Sequence, residues 1–329
     1  MDISVILCTW NRARILAEAL TSLDACVVDP AIQWEVLVVD NNSTDETRAI
    51  CESFIQKNPR RFRYLFERQQ GKSFALNLGI QNAEGKILAF TDDDLTVDLN
   101  WISELLEVFQ TQTCAGVGGK IVPVWTCDKP SWLDFDGPYS HTAFGGIVRF
   151  DHGNSICELK TAPIGANMAY RREVLGKYGP FRPDLCRVGN LLGGEDSEYG
   201  RRLLKAKERL LYAPKATVYH PVEKSRTERK YFQSWAYHYG RWIVRVEGVP
   251  EGTIRFLGVP RFLFRICLKH FLHWIAAFDT KRRLFYELLF LQSIGEMVEA
   301  RRSQQGLHGT RASNDPIRSS EGTNRTRHT

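Results

Sequence analysis

Four short apolar runs, separated by segments of helical spacing, restrict what this chain can fold into. Ile3–Thr9, Trp34–Asp40 and residues 62–67 and 87–91 read as strands. Residues 11–27, 44–55 and Lys72–Asn82 read as the helices between them, with a helix over 97–110 and a strand over 115–124 to follow. Strands alternating with helices of this length predict βαβ units around a mostly parallel sheet. Right-handed crossovers then bring the carboxyl ends of the parallel strands to one edge, where open α/β sheets bind their ligands.

The fourth run ends in three consecutive carboxylates, Asp92, Asp93 and Asp94. Charge is costly to bury unpaired, so the triplet belongs at the strand's carboxyl edge. Oxygen ligands of this kind suit a hard divalent cation, which commonly arrives with phosphates. Three further polar clusters, Thr9-Trp10-Asn11-Arg12, residues 40–45 and Gly193-Gly194-Glu195-Asp196, follow strand ends or open a helix. Each alone is also what a helix N-cap needs. Four on one edge describe a polar crevice suited to a nucleotide and a metal.

The 329 residues are 43% hydrophobic and 25% charged, an ordinary globular balance that leaves room for one large domain and an appendage. No apolar stretch is long and charge-free enough to predict a membrane span. The chain enters its first strand almost at once, so no signal peptide is expected. Eight scattered cysteines without a C-x-x-C pair read as neither a zinc site nor a disulfide framework, which fits a reducing cytosol. Residues 125–162 read as loops and short strands, a face of the pocket. Regular structure is expected again over 161–170, 195–206 and 210–219.

In order along residues 1–222, SVILCTWNR, EVLVVDNNSTDET, QQGKSFALNLGI, GKILAFTDDDL, GANMAYRREVL, GGEDSEYGRRLL and then Tyr219-His220 resemble the inverting family-2 glycosyltransferases. The resemblance implies a GT-A fold, the Rossmann-like α/β fold of nucleotide-diphospho-sugar transferases, with a mostly parallel central sheet. It also implies roles. Thr9, Asn11 and Arg12 would lie at the nucleotide, Asp40 at the uracil of a UDP-sugar, and Ser43 and Lys72 beside the same pocket. Asp92 and Asp94 match the ends of the family's D-x-D motif, Asp92 toward the ribose and Asp94 on Mn²⁺ or Mg²⁺. His220 reads either as a second metal ligand, with Asp92 completing the set, or as a histidine satisfied at a strand end. Asp93 is left out of the metal set as solvent-facing. Asp196 matches the catalytic base, with Glu195 beside it. Trp125, Trp132, Gly165 and Asn167 would contact the acceptor, although packing is the commoner role of tryptophan.

The chemistry suits this division of labour. A diphosphate leaving group gains negative charge as the glycosidic bond breaks, and a divalent ion offsets it. A carboxylate in reach of the acceptor hydroxyl removes its proton, and direct displacement needs one such base. A rival reading treats Asp92 as the nucleophile of a haloacid-dehalogenase-type phosphatase, with Asp94 as acid/base, since D-x-D-x-T-V fits residues 92–97. That motif usually closes a domain's first strand, whereas several βα units precede it here.

A helical extension is expected over residues 223–302 and a disordered tail over 303–329. Residues 224–283 carry 13 Lys/Arg against 4 Asp/Glu. Arg261, Arg265, Lys269 and His273 recur every four residues with Phe, Leu and Trp opposite. That pattern fits either a helix lying on an anionic membrane through residues 253–300 or a helix packed on the catalytic domain with a solvated basic face. A purely membrane-binding, non-catalytic protein is the third reading. Gln233 and Arg241-Trp242 are too far apart for the Q-x-x-R-W motif of processive synthases, so transfer of a single sugar is expected. The acceptor would be a sugar or a lipid-linked sugar, the location cytoplasmic or peripheral at the inner membrane face. No nucleic-acid partner is expected.

Overall fold

A computed structural model describes residues 1–133, 135–140, 146–185 and 193–304. The chain begins β1 (Ile3–Thr9), α1 (Ala13–Asp24), β2 (Trp34–Asp40), α2 (Thr47–Lys57), β3 (Phe62–Phe66), α3 (Lys72–Asn82) and β4 (Ile87–Asp92). β5 (Thr96–Val97), α4 (Trp101–Thr111), β6 (Gly116–Trp125), β7 (Cys157–Glu158), β8 (Asn167–Arg171), α5 (Arg172–Tyr178), α6 (Glu195–Lys205) and β9 (Leu210–Val222) follow. The central sheet runs β3-β2-β1-β4-β8-β6-β9-β5, with β7 beside β9. β1, β2 and β4 are buried along nearly their whole length. Their largely apolar sequences, broken by the paired Ser4 and Glu35, suit parallel strands covered on both faces.

The sheet departs from a simple parallel one at β8, which lies antiparallel between β4 and β6. Its first residue, Asn167, is fully buried. Its amide accepts a hydrogen bond from Trp101 Nε1 at 2.9 Å and donates to the carbonyls of Lys120 and Ala216 at 2.9 and 2.8 Å. A Cβ at Gly119 would overlap this amide, which is why β6 carries glycine there. Asn167 therefore ties β8, β6, β9 and α4 together, and its saturated side chain has nothing to offer an acceptor.

Several helices start later than their capping residues suggest. Asn11 has φ +51° and its side-chain oxygen accepts the Thr44 N–H at 2.7 Å, so α1 begins two residues on. Asp45 Oδ1 accepts the Thr47 N–H at 3.1 Å at the head of α2. Val97 pairs with Val218 in the sheet, so α4 begins only at Trp101.

The extension comprises α7 (Arg229–Glu247), a small hairpin of β10 (Arg255–Phe256) and β11 (Val259–Pro260), α8 (Arg261–Ile275) and α9 (Thr280–Gln304). Residues 305–329, with nearly all of the expected tail, lie outside the described residues. α9 packs along α7, and α8 packs on α9. A second apolar core of Leu133, Ile147 and Val222 with Phe232, Ala236, Leu284 and Leu288 fastens α7 and α9 to the sheet domain. Trp132 belongs to this packing, edge-on to Phe232 at 5.3 Å. α7 and α9 approach backbone to backbone at two glycines. A Cβ on Gly240 would overlap the Gln292 carbonyl, and one on Gly295 the Tyr237 carbonyl. Beside them the buried Glu299 accepts Arg241 Nε at 2.8 Å and Arg245 Nε at 2.6 Å. Burial opposes ionisation of Glu299, and the two arginines more than offset it, holding the carboxyl below the usual glutamate range.

Two stability predictions follow from these contacts. Asn167→Ala leaves three buried polar groups unpaired and should cost about 3 kcal/mol, read from chemical denaturation. Glu299→Ala strands a buried arginine and should cost about 3–5 kcal/mol. Because the Glu299 carboxyl is lowered when folded, this clasp contributes above the unfolded value of 4.5 and is lost as pH falls through the lowered one. The gap between wild type and Glu299→Ala should therefore narrow below about pH 4, as seen in denaturation midpoints.

Candidate active site

A cleft of about 840 Å³ opens at the carboxyl edge of the sheet. The loops after β1 and β2 interlock to form one wall. The Asn11 N–H donates to Ser43 Oγ at 2.9 Å, and the Ala13 N–H to Asp45 Oδ2 at 3.0 Å. Asn42, at φ +67°, completes this turn. Asn41 holds the next loop, its Oδ1 accepting the Gly71 N–H at 2.8 Å and its Nδ2 donating to the Gln69 carbonyl at 2.7 Å. Gly71 has φ +137°, a conformation that favours glycine, and it delivers Lys72 into the cleft.

The aspartate triplet sits in a cage of cations. Arg12 Nη1 lies 2.7 Å from Asp93 Oδ1 and 3.1 Å from Asp94 Oδ2. Arg226, in the 3₁₀ turn Lys224–Thr227, places Nη2 3.1 Å from the same Asp94 oxygen. Lys72 is paired with Asp92. Asp93 is only 5% exposed, which corrects its reading as solvent-facing. Burial pushes its carboxyl up, with Arg12 working against the shift. Burial likewise opposes ionisation of Asp94, but His220, Arg12 and Arg226 more than offset it and hold that carboxyl low. Lys72 keeps its proton because Asp92 and Glu195 outweigh its burial.

His220, on β9, points Nε2 at Asp94 Oδ1 from 3.6 Å, while its Nδ1 lies 3.1 Å from the Pro221 carbonyl. In the neutral imidazole, an Nδ1–H donated to that carbonyl would leave a lone pair on Nε2, the nitrogen that Arg226 Nη1 approaches at 3.4 Å. Asp94 and a neutral His220 would present an anionic oxygen and an imidazole lone pair to the same cationic group, a mixed pair that suits Mn²⁺ better than the oxygen-preferring Mg²⁺. Asp92 is engaged by Lys72 instead, and among the described residues no three ligand-type side chains form a ready cage. A metal here would need phosphate or water oxygens to complete its shell.

α6 also begins at the cleft. Asp196 lines the cleft, its Oδ2 accepting the Gly165 N–H at 2.6 Å and its Oδ1 the Ser197 N–H at 2.7 Å. Gly165, read as an acceptor contact, is therefore the anchor of Asp196, and a Cβ there would lie 2.8 Å from Oδ2. Glu195 is buried away from the cleft, accepts the Gly194 N–H at 2.9 Å, and has its carboxyl pushed up by burial and by Asp196.

The cleft thus gathers Thr9, Asn11, Arg12, Lys72, Asp92, Asp94, Asp196 and His220. Others fall elsewhere. Asp40 is buried, with its two oxygens taken by the Ser43 N–H at 2.9 Å and the Tyr64 hydroxyl at 2.8 Å. Ser43 supports Asn11 from outside the cleft. Trp125 lines a separate hollow of about 570 Å³ beside Lys224.

Sequence reasoning missed Arg226 and one face of α7. Tyr231, Trp235, Tyr239 and Trp242 line the cleft at helical spacing, a stripe readable from sequence. Trp235 stacks on Tyr239 with centroids 5.0 Å apart, and Tyr239 on Trp242 at 5.5 Å. Trp242 Nε1 is buried without a hydrogen-bond partner among the described residues. Gln233 and Arg241 are tied instead to Glu287 and Glu299.

Residues 4–179 match the sequence pattern of glycosyl transferase family 2. The chain is 30% identical over 189 residues to an uncharacterized glycosyltransferase of Nostoc sp., covering 57% of this chain and 56% of that protein. It is 29% identical over 230 residues to the succinoglycan biosynthesis protein ExoM of Rhizobium meliloti, covering 69% of each. Against the glucosyl-dolichyl phosphate glucuronosyltransferase of Haloferax volcanii it is 26% identical over 239 residues, covering 69% and 72%. Among solved structures, the mannosyltransferase PcManGT of Pyrobaculum calidifontis with GDP-Man and Mn²⁺ shares the fold at a TM-score of 0.54 and 17% identity, over 94% of this chain and 76% of that one. GalNAc-T7 with UDP, GalNAc and Mn²⁺ does so at 0.52 and 17%, over 77% and 52%. These matches displace the phosphatase and non-catalytic readings: the chain belongs to glycosyltransferase family 2 and is a glycosyltransferase with the GT-A fold.

Proposed function

We propose that this protein moves one sugar at a time from a nucleoside diphosphate donor, a UDP-sugar, to a hydroxyl acceptor with inversion, and that Asp196 is the base. The observation that carries the reading is a single cleft lined both by Asp196 and by Arg12, Lys72 and Arg226 around Asp92 and Asp94. The acceptor oxygen attacks the anomeric carbon as Asp196 takes the hydroxyl proton. The bond from that carbon to the diphosphate breaks, and the nucleoside diphosphate leaves with the electron pair. One displacement with one base inverts the centre. Arginine forks suit diphosphate oxygens, so Arg12 and Arg226 exchange carboxylate for phosphate partners when donor binds. Asp94 and His220 would hold a divalent cation, which when bound supplies charge neutralisation at the leaving group. The Mn²⁺ present with PcManGT and GalNAc-T7 supports this.

The aromatic face of α7 borders the same space as Asp196 and fits an acceptor sugar laid against its rings. The acceptor class we infer is a sugar or lipid-linked sugar, in bacterial polysaccharide or glycolipid assembly at the inner membrane face. The names of the Rhizobium and Haloferax relatives support that class.

Calorimetry of UDP with and without Mn²⁺ tests the donor site. Wild type should bind UDP in a Mn²⁺-dependent way, and Asp94→Ala should lose that dependence. Unchanged binding in the variant would remove the metal assignment, and binding of GDP or dTDP in place of UDP would change the base. Asp196→Asn should retain donor affinity and lose about 10²–10⁴ in kcat; retained turnover would place the base elsewhere. Gly165→Ala, which must displace the Asp196 carboxylate, should lower kcat at least ~10-fold with donor affinity unchanged.

A further inference from the structure

Ten of the sixteen exposed large apolar side chains among the described residues lie between Ile254 and Phe278. Most fall toward the two ends of α8, with Ile266 near its middle. At one end is the tip of the β10–β11 hairpin, with Ile254 68%, Phe256 59% and Leu257 71% exposed. Leu257 also has φ +50°, a backbone that leucine rarely adopts, so an apolar side chain is kept at a tip where glycine or asparagine would fit without strain. At the other end are Leu268, Leu272 and Ile275, each at least half exposed, and Phe278, wholly exposed. Between them on α8 stand Arg261, Arg265 and Lys269, all exposed, and the helix carries no carboxylate.

α8 does pack on α9, but Leu263 is its one buried residue. At 100° per residue, Arg261, Arg265, Leu268, Lys269, Leu272 and Ile275 all project away from the Leu263 side. Cations and exposed apolar groups therefore share one outward face, which differs from the expected arrangement on opposite faces. No helix among the described residues is long and apolar enough to cross a membrane.

We propose that residues 254–278 dock this protein flat on an anionic bilayer surface. The hairpin tip and the last turns of α8 enter the interface, and Arg261, Arg265 and Lys269 meet lipid phosphates. Binding to an anionic bilayer grows with the apolar area inserted and with the basic charge held at the phosphate level, and this face supplies both. A second copy fits the same face poorly. A two-fold dimer sets a patch against itself and would oppose one basic row to another. The proposal stands apart from the transfer chemistry, since it is tested on protein without donor.

The test is co-sedimentation of the full chain with phosphatidylglycerol and with phosphatidylcholine vesicles, alongside sedimentation velocity. Wild type should partition onto phosphatidylglycerol at least ~10-fold better than onto phosphatidylcholine, less so at high salt. Leu272→Asp with Ile275→Asp should lower partition at least ~10-fold, as should Arg261→Glu with Arg265→Glu, at unchanged thermal midpoints. Phe278→Ser, at a wholly exposed site, should weaken binding without touching any packing. Absence of phosphatidylglycerol binding, equal binding by the variants, or a dimer that the Leu272/Ile275 pair dissolves would each overturn the proposal. The last outcome would assign the face to a second copy.

Discussion

Three adjacent carboxylates at the end of a buried strand set the electrostatic terms of this structure. β4 emerges from the apolar core at Asp92, and Asp93 is buried as deeply as many core residues. Carboxylates this close repel one another, and burial adds to the cost. The fold answers with cations from three separate places. Arg12 comes from the loop after β1, Lys72 from the start of α3, and Arg226 from the turn after β9. Each is fixed by local structure: the Asn11–Ser43 and Asn41–Gly71 contacts orient the loops that carry Arg12 and Lys72. Under the proposed function, charge compensation and donor recognition would be the same arrangement without and with phosphate.

Much of this was legible in sequence because it follows from period and composition. The runs at β1, β2 and β4 are mainly apolar, with the buried Ser4 and Glu35 paired to each other, and end in polar residues, so their existence and the position of the crevice could be read. What could not be read depends on partners distant in sequence. Asn167 looks like a pocket residue beside Gly165, yet its amide is consumed by Trp101, Lys120 and Ala216. Asp93 looks like the free member of the triplet until Arg12 is placed beside it. Arg226 lies at the start of the basic stretch 224–283, and only the turn of the chain after β9 brings it to Asp94. The stripe on α7 did have a local signal, its 4-4-3 spacing, which was masked by the competing basic pattern further along.

The boundary near residue 222 marks the end of the sheet but cuts through the site. α7 contributes one wall of the cleft while its other side forms the second apolar core with Leu133, Ile147 and Val222. Displacing α7 would therefore cost both packing and the contact between Trp242 and Gly194. Gly194, at φ +133°, leaves space for that indole at the head of α6. Asp196 is two residues away, and its position rests on the Gly165 N–H. Asp196 and the aromatic wall are positioned against each other through two glycines, whose missing side chains let indole and carboxylate approach the backbone.

The same coupling extends outward. Glu299 clasps α9 to α7 beside the close glycine contacts, and α8 rests on α9. A surface held by α8 is thus connected to the aromatic wall through two packed helices, with no linker between. Such a connection transmits orientation: whatever plane α8 lies in fixes the angle at which the cleft faces that plane. For an acceptor free in solution that angle has no consequence. For an acceptor anchored in a bilayer it would decide whether the acceptor hydroxyl reaches the cleft, because a membrane-bound substrate keeps only lateral and rotational freedom. Orientation of this kind removes entropy from the encounter before any contact with the acceptor is made. Breaking the Glu299 clasp should then reduce transfer to a bilayer-borne acceptor more than to a soluble one of the same sugar sequence. Equal losses on the two acceptors would show that α8 and the cleft act independently.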